Sequence, residues 1–430
     1  MNQKKIIQVE EKVPMNLLFP LSLQHMFAMF GASVLVPIIF GINPSVVLLM
    51  NGVGTLLFFF ITKGKAPAYL GSSFAFLAPA GLVISKWGYP YALGGFIAVG
   101  FALCILSLII YKFGTKWIDI MLPAAAMGPV VALIGLELAG TAADTAGLLP
   151  KEGVVIDPKN VLVFVVTLAF AVFGNVLFRK FFAVIPVLIA IIAGYVTALL
   201  AKVITPQTLS DALHGTSFFV IPNFQTPRFN LEAIIMILPV ILVLASEHIG
   251  HQIVTSKIVE RDLLKDPGLH RSMLADGIST MLSGFVGSVP TTTYGENIGV
   301  MAMTKVYSVQ VIGGAAILSI IASFIGPVAA LIQTIPGAVI GGISFLLYGM
   351  IGASGIRVMV DGRVDYGRSR NLTLTSVVFV TGLSGVAINL GEVTLKGMVL
   401  ATIVGMLLSL LFYIFDKLNL TNDKEDTAEA

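Results

Sequence analysis

An all-α polytopic membrane protein is the fold class this sequence predicts, on three observations. Only 11% of the 430 residues are charged, while 57% are hydrophobic. An ordinary soluble domain carries about 25% charged residues, so there are too few charges here to cover a solvated surface. The mean hydropathy of +0.95 points the same way. The apolar residues are also gathered into runs close to the roughly 20 residues that a helix needs to cross a bilayer. Together these exclude a soluble enzyme, a disordered chain and a nucleic-acid binder. A formal net charge of +3 gives little pull on a polyanion. The one cysteine, Cys104, excludes an internal disulfide and a thiolate-built zinc or iron–sulfur site.

Fourteen transmembrane segments are predicted in chain order: 15–40, 44–62, 67–84, 91–111, 118–138, 161–178, 182–202, 232–254, 270–285, 294–308, 311–334, 337–356, 372–389 and 393–415. The third and tenth are the irregular ones, because glycine, proline, serine and threonine interrupt the apolar run near 67–84 and 288–308. The ninth is short and carries glycine. The stretch 422–430 is acidic and polar and reads as a disordered tail. The N-terminus does not read as a cleavable signal, since Glu10 and Glu11 accompany its lysines and no small-residue cleavage site follows a short apolar core.

An even number of segments puts both termini on one side. With the termini inside, 20 of the 26 lysines and arginines fall in cytoplasmic segments and 6 in outer ones, as the positive-inside rule requires. The predicted location is therefore the cytoplasmic membrane.

The chain also compares with itself. The halves 15–202 and 232–417 hold seven segments each, and an odd number inverts the second half in the membrane. The first segment of one half carries Gln24-His25, and that of the other carries Glu247-His248. Phe74, in the broken third segment, lies 50 residues beyond Gln24; Glu296, in the broken tenth, lies 49 beyond Glu247. Paired interrupted segments at corresponding places are the best sequence pointer to a transporter binding site. Free backbone groups at mid-membrane need a cavity or a protein-lined interior, and a short extended stretch in each break can pair with the other.

Four acidic residues lie in or near apolar segments: Glu137, Glu247, Asp276 and Glu296. Such residues are costly in lipid and are functional hypotheses by default. Glu247 and His251 are i and i+4, on one helix face, where a carboxylate and an imidazole can share a proton. The competing reading is a structural hydrogen bond. Glu296 follows the polar run Thr291-Thr292-Thr293-Tyr294-Gly295, at a helix N-terminus suited to an anion or an acceptor-rich ligand; the competing reading is a helix cap. Glu137 reads as a boundary residue, and Asp276 as either a proton relay or a structural partner. Gln24, His25 and Asn297 are expected behind the ligand-contacting residues. The aromatics Phe74, Tyr294 and Tyr348 stand out only by their place near the breaks. His214 and His270 carry no signal. No phosphate-binding loop, voltage-sensor helix, potassium-filter motif or hydrolase motif is present.

At these residues the sequence resembles the nucleobase–ascorbate transporter family, also called nucleobase:cation symporter-2. The resemblance is carried by Glu296-Asn297-Ile298-Gly299-Val300-Met301-Ala302-Met303-Thr304-Lys305, by Leu21-Ser22-Leu23-Gln24-His25, by Tyr69-Leu70-Gly71-Ser72-Ser73-Phe74-Ala75-Phe76, by Glu247-His248-Ile249-Gly250-His251, by the run from Asp266 to Met273, and by the run from Leu347 to Arg357. It covers nearly the whole chain. It implies two inverted repeats of seven segments, with short antiparallel strands in segments 3 and 10. The domains it implies are a cytoplasmic N-terminal tail (1–14), a core domain (15–113 and 232–334), a gate domain (114–202 and 335–417), an extracellular connector (203–231) and a cytoplasmic tail (418–430). It further implies that the chain is no enzyme and needs no metal or cofactor. The implied activity is proton-driven uptake of uracil by an elevator-type dimer, with the proton as coupling ion. Glu247, Glu296, Phe74, Gly295, Tyr294 and Tyr348 would hold the ring, and His251 with Glu247 would couple the proton. Purine members usually carry Gln where this chain has Glu296. The rivals are a purine or other planar-ring carrier, an anion exchanger, and a channel or a sensor that binds uracil without moving it.

Overall fold

A computed structural model describes residues 6–150, 155–179, 182–390 and 393–421. In order, the helices are α1 (Met15–Phe40), α2 (Pro44–Ile61), α3 (Leu77–Trp87), α4 (Tyr89–Phe113), α5 (Lys116–Met121), α6 (Ala124–Glu137), α7 (Ala139–Thr145), α8 (Pro158–Leu177), α9 (Pro186–Leu200), α10 (Pro206–His214), α11 (Leu231–Ile237), α12 (Val240–Val259), α13 (Leu269–Val286), α14 (Gly295–Thr304), α15 (Val309–Ser323), α16 (Gly326–Gln333), α17 (Gly337–Asp361), α18 (Ser369–Leu383) and α19 (Gly397–Lys417). The strands are β1 (Leu70–Ser72), β2 (Thr291–Thr293), β3 (Ala387–Leu390) and β4 (Val393–Lys396). The chain is thus mostly helical. Among the described residues, seven stretches are long and apolar enough to cross a membrane by length and composition.

Several predicted segments are broken, each by an identifiable feature. The segment at 118–138 divides at Pro123, whose extended conformation precedes α6; Pro239 separates α11 from α12; Gly326 opens α16 after the extended Ile325. The segment predicted at 372–389 is corrected. Its helix ends at Leu383, Gly385 takes a positive φ of 75°, and the chain then forms the antiparallel β3–β4 hairpin. Apolar content alone could not separate these β-branched residues from helix.

Residues 6–13 are not a free tail either. Val9 is fully buried and Val13 nearly so. Ile7 and Val9 exchange backbone hydrogen bonds with Lys305, Tyr307 and Val309, and Ser308 Oγ donates to the carbonyl of Glu11. Glu10 pairs with Arg261. The stretch 422–430, expected to be disordered, lies outside the described residues.

The helices pack in two groups. In one, α4 and α2 lie along α13, α15 packs on α1 and α2, and α11 and α3 cover α4. In the other, α17 lies along α6, α8 and α9, and α18 and α19 pack together on α6. Glycine allows close crossings in both groups: a Cβ on Gly100 of α4 would meet the backbone of Gly277 and Met281 on α13, and one on Gly135 of α6 would meet the backbone of Tyr348 on α17. Helix α12 touches both groups, packing on α4 and α13 and on α6 and α19.

Candidate functional site

Two short strands position the site. β1 and β2 pair antiparallel, with Leu70 opposite Thr293, Gly71 opposite Thr292 and Ser72 opposite Thr291. Tyr294 N–H to Tyr69 O (3.1 Å) and Ser73 N–H to Pro290 O (2.9 Å) extend the ladder at both ends. Threonines favour the pleated conformation, yet a two-stranded ladder leaves its outer edges unpaired. Hydroxyls from neighbouring helices fill that need: Thr55 Oγ1 accepts from Leu70 N–H at 2.9 Å, and Thr280 Oγ1 donates to Thr291 O at 2.8 Å. All six strand residues are buried. Extended backbone in such a chain is tolerable only when protein surrounds it in this way.

Chain reversal out of the two strands delivers the functional side chains. β1 leads through Ser73 into a 3-10 turn starting at Phe74, and β2 leads through Tyr294 into α14, with Glu296 in its first turn. The Tyr294 ring lies over Gly71, where a Cβ would collide with it, and its hydroxyl donates to Ser72 O at 2.9 Å.

A cleft of about 230 Å³ opens beside this motif, lined by Phe74, Glu247, His251, Tyr294, Gly295 and Glu296 together with residues of α1, α6, α9 and α17. Six of the residues predicted from sequence therefore meet at one place. Tyr348 reaches it through Phe74: the rings stand edge to face, 5.7 Å between centroids and 85° apart. Glu247 is 8% exposed. Among the described residues its Oε2 and Glu296 Oε1 are buried without a protein hydrogen-bond partner, as is the Tyr348 hydroxyl beside the cleft. Burying such groups unpaired costs about 1–3 kcal/mol each, more when charged. A cleft that tolerates several is shaped for a ligand with complementary groups.

The remaining predicted residues sit behind the cleft. His25 Nδ1 lies 3.0 Å from Asn297 Oδ1, tying α1 to α14. Gln24 is buried on α1 but does not line the cleft. Asp276 Oδ2 is 2.8 Å from His248 Nδ1, and His248 Nε2 is 2.8 Å from Ser272 Oγ. Asp276 is thus a partner of His248. Glu247 and His251 share a face, but among the described residues no hydrogen bond joins them; His251 Nδ1 lies 3.2 Å from Thr293 Oγ1 on β2 instead. The strand hydroxyl competes for the imidazole and leaves the carboxylate open to the cleft. Glu137, read as a boundary residue, accepts from Met398 N–H at 2.9 Å, at the start of α19. Among the described residues no His, Cys, Asp and Glu cluster could hold a metal ion.

Sequence reasoning missed Phe27, Ser354 and Arg357, which also line the cleft. Arg357 was the findable one, a cation near the end of a long apolar helix. Phe27 and Ser354 follow no pattern that separates them from packing residues.

Comparison with known proteins identifies the family. A family model described as "Permease family" matches residues 17–391. The uracil permease of Escherichia coli (strain K12) is 55% identical over 96% of this chain and 96% of its own length. That of Paenibacillus larvae is 51% identical over 97% and 99%, and that of Bacillus subtilis 44% identical over 91% of each. Among solved structures, the murine Solute Carrier 26 family member A9 anion transporter in the inward-facing state superposes with a TM-score of 0.70 at 12% identity, covering 94% of this chain and 69% of that one. The transmembrane domain of the cyanobacterium bicarbonate transporter BicA gives 0.62 at 15%, covering 94% and 100%. Identity this low speaks for the fold alone. The relatives are permeases rather than enzymes, and this multi-pass membrane protein belongs to the nucleobase–ascorbate transporter family.

Proposed function

We propose that the chain carries uracil across the cytoplasmic membrane in symport with protons, by elevator-type alternating access. One observation carries the reading: two carboxylates, the buried Glu247 and the half-buried Glu296, line a single cleft, each with a buried oxygen that no protein group among the described residues satisfies. Uracil is a flat ring with two N–H donors and two carbonyl acceptors. A carboxylate accepts from an N–H, a protonated acid donates to a carbonyl, and the backbones at Phe74 and Gly295 serve the rest. A site that bonds each edge rejects rings whose donors are misplaced, because its own buried groups then go unpaired. Three named relatives transport the same base by title.

The same reading extends to the architecture. The two helix groups act as core and gate, and fourteen spans form two inverted repeats of seven, which the antiparallel pairing of β1 with β2 supports. The charge distribution favours both termini in the cytoplasm, and the gate domains of two copies form a dimer in the lipid bilayer. Glu247, with His251 beside it, holds the coupling proton and releases it inside.

Radiolabelled uracil uptake into proteoliposomes under an imposed inward proton gradient tests this. Accumulation above equilibrium, abolished by a protonophore and competed by excess unlabelled uracil, is the expected result. Saturable uptake of a purine in preference to uracil would overturn the substrate, and accumulation indifferent to the protonophore would overturn the proton.

A further inference from the structure

Behind the cleft lies a second, much smaller space. This chamber, of about 30 Å³, is bounded on the cleft side by Glu247, His251, Ser354 and Arg357, and on the far side by Gly250 and Val358. Gly250 and Val358 also border a third cavity of about 270 Å³ that reaches Asp119 and Asp361. The three spaces form a series that starts at the buried carboxylate and ends at the ends of α5 and α17.

The neck of the series is narrow. A Cβ placed on Gly250 would lie 3.3 Å from Val358 Cγ2 and 3.7 Å from Met127 Sδ, so α12 there touches α17 and α6 with nothing to spare. About 10–15 Å³ suffices for one water molecule given two to four polar partners. The chamber has that room, and it has the partners in Glu247, His251, Ser354 and Arg357. It has no room for a pyrimidine ring.

We propose that this chamber holds a water relay that takes the coupling proton from Glu247 past Gly250 to the Asp119–Asp361 cavity, by a route the ring does not use. The inference rests on the uracil–proton symport reading. In the step, the Glu247 carboxyl gives its proton to the chamber water and becomes a carboxylate. The protonated water passes a proton to the next water beyond Gly250, and so to solvent. The charged and titratable groups facing Glu247 are His251 on its own helix, Asp276 on α13, Tyr294 and Glu296 at the start of α14, and Arg357 on α17. At the far mouth Asp361 faces Arg357 Nε at 3.4 Å and Lys257 Nζ at 3.9 Å. Arg357 thus borders the cleft and the chamber and reaches Asp361, which lines the far mouth.

The test is Gly250→Val, which plugs the neck without touching the ring-binding groups. Two proteoliposome assays are compared: net uracil uptake driven by a proton gradient, and exchange of external labelled for internal unlabelled uracil with no gradient. Exchange does not require the proton to leave. We expect net uptake to fall at least about tenfold while exchange stays within about twofold, and Gly250→Val with Val358→Ala to restore net uptake by widening the neck. Uracil binding to the purified variant checks its fold. Should the valine prevent folding, Gly250→Ala is the milder plug, with the same split expected at smaller size. Equal loss of both assays in a variant that binds uracil would overturn the proposal, since the passage would then carry the ring. So would no change in either. A parent protein that neither exchanges nor accumulates uracil would instead overturn the uracil reading itself.

Discussion

The two breaks in the helical framework use one backbone design and carry different chemistry. Each is a three-residue strand followed by a helical turn, and the two strands complete each other's hydrogen bonding. After β1 the chain presents Phe74, an apolar ring braced edge to face by Tyr348. After β2 it presents Tyr294, Gly295 and Glu296 at the N-terminus of α14. One break supplies a surface for a flat ring, the other an acceptor at a positive helix end. The first helix of each half differs in the same spirit. His25 reaches across to Asn297 in the other half, whereas His248 pairs with Asp276 in its own. The two breaks thus share a backbone design, while their side chains differ.

The comparison can be broken most severely at the acidic side. Glu296→Ala removes the acceptor, and we expect uptake to fall roughly 100-fold, about 3 kcal/mol for a buried bond to a charged group, while the purified protein keeps its unfolding temperature. Uptake within a few-fold of the parent would show that the second break is only structural.

A smaller loss is expected from Gly71→Ala. The added methyl collides with the Tyr294 ring, so the hydroxyl bond to Ser72 and the strand register cannot both persist. Uracil affinity should drop about tenfold, roughly 1.4 kcal/mol. Gly81→Ala, with open space around it, should bind as the parent does. Equal affinities in the two variants would mean that Tyr294 has no part in the pocket.

The smallest effect is expected far from both breaks. Arg261 holds the Glu10 carboxyl below its ordinary value of 4.5, chiefly through their hydrogen bond. A lowered value means that the contact stabilises fully above the unfolded-state value and fades as pH falls through the folded one. The pair is half exposed, so Glu10→Gln should cost less than about 1 kcal/mol at neutral pH and nothing once the carboxyl is protonated. A thermal-unfolding series in pH reads both; a loss that persists at low pH would show that packing, not charge, ties this segment down.

Much of this was legible in the sequence because it depends on composition and local order. Apolar runs marked the helices, and glycine, serine and threonine inside them marked the breaks. Carboxylates where lipid would make them costly marked the cleft. What stayed hidden depends on contacts between distant segments. The strands β3 and β4 mix apolar and β-branched residues that a helix could also hold, and Gly385 marks only where the preceding helix is left. Nothing around Val9 announces that it packs against residues near 307. His251 and Glu247 have helical spacing that suggests a pair, yet Thr293, 42 residues on, takes the imidazole. Asp276 and His248 are 28 residues apart, a separation no periodicity singles out.

The central claim is that Glu247 and Glu296 grip one ring together, and a double-mutant cycle on uracil binding to the purified protein tests it most directly. With Glu247→Gln, Glu296→Gln and the double variant, two groups on one ligand should be coupled: each single change weakens binding strongly, and the double falls short of the sum by more than about 0.5 kcal/mol. Additive losses, or a single variant that binds uracil as tightly as the parent, would contradict the account.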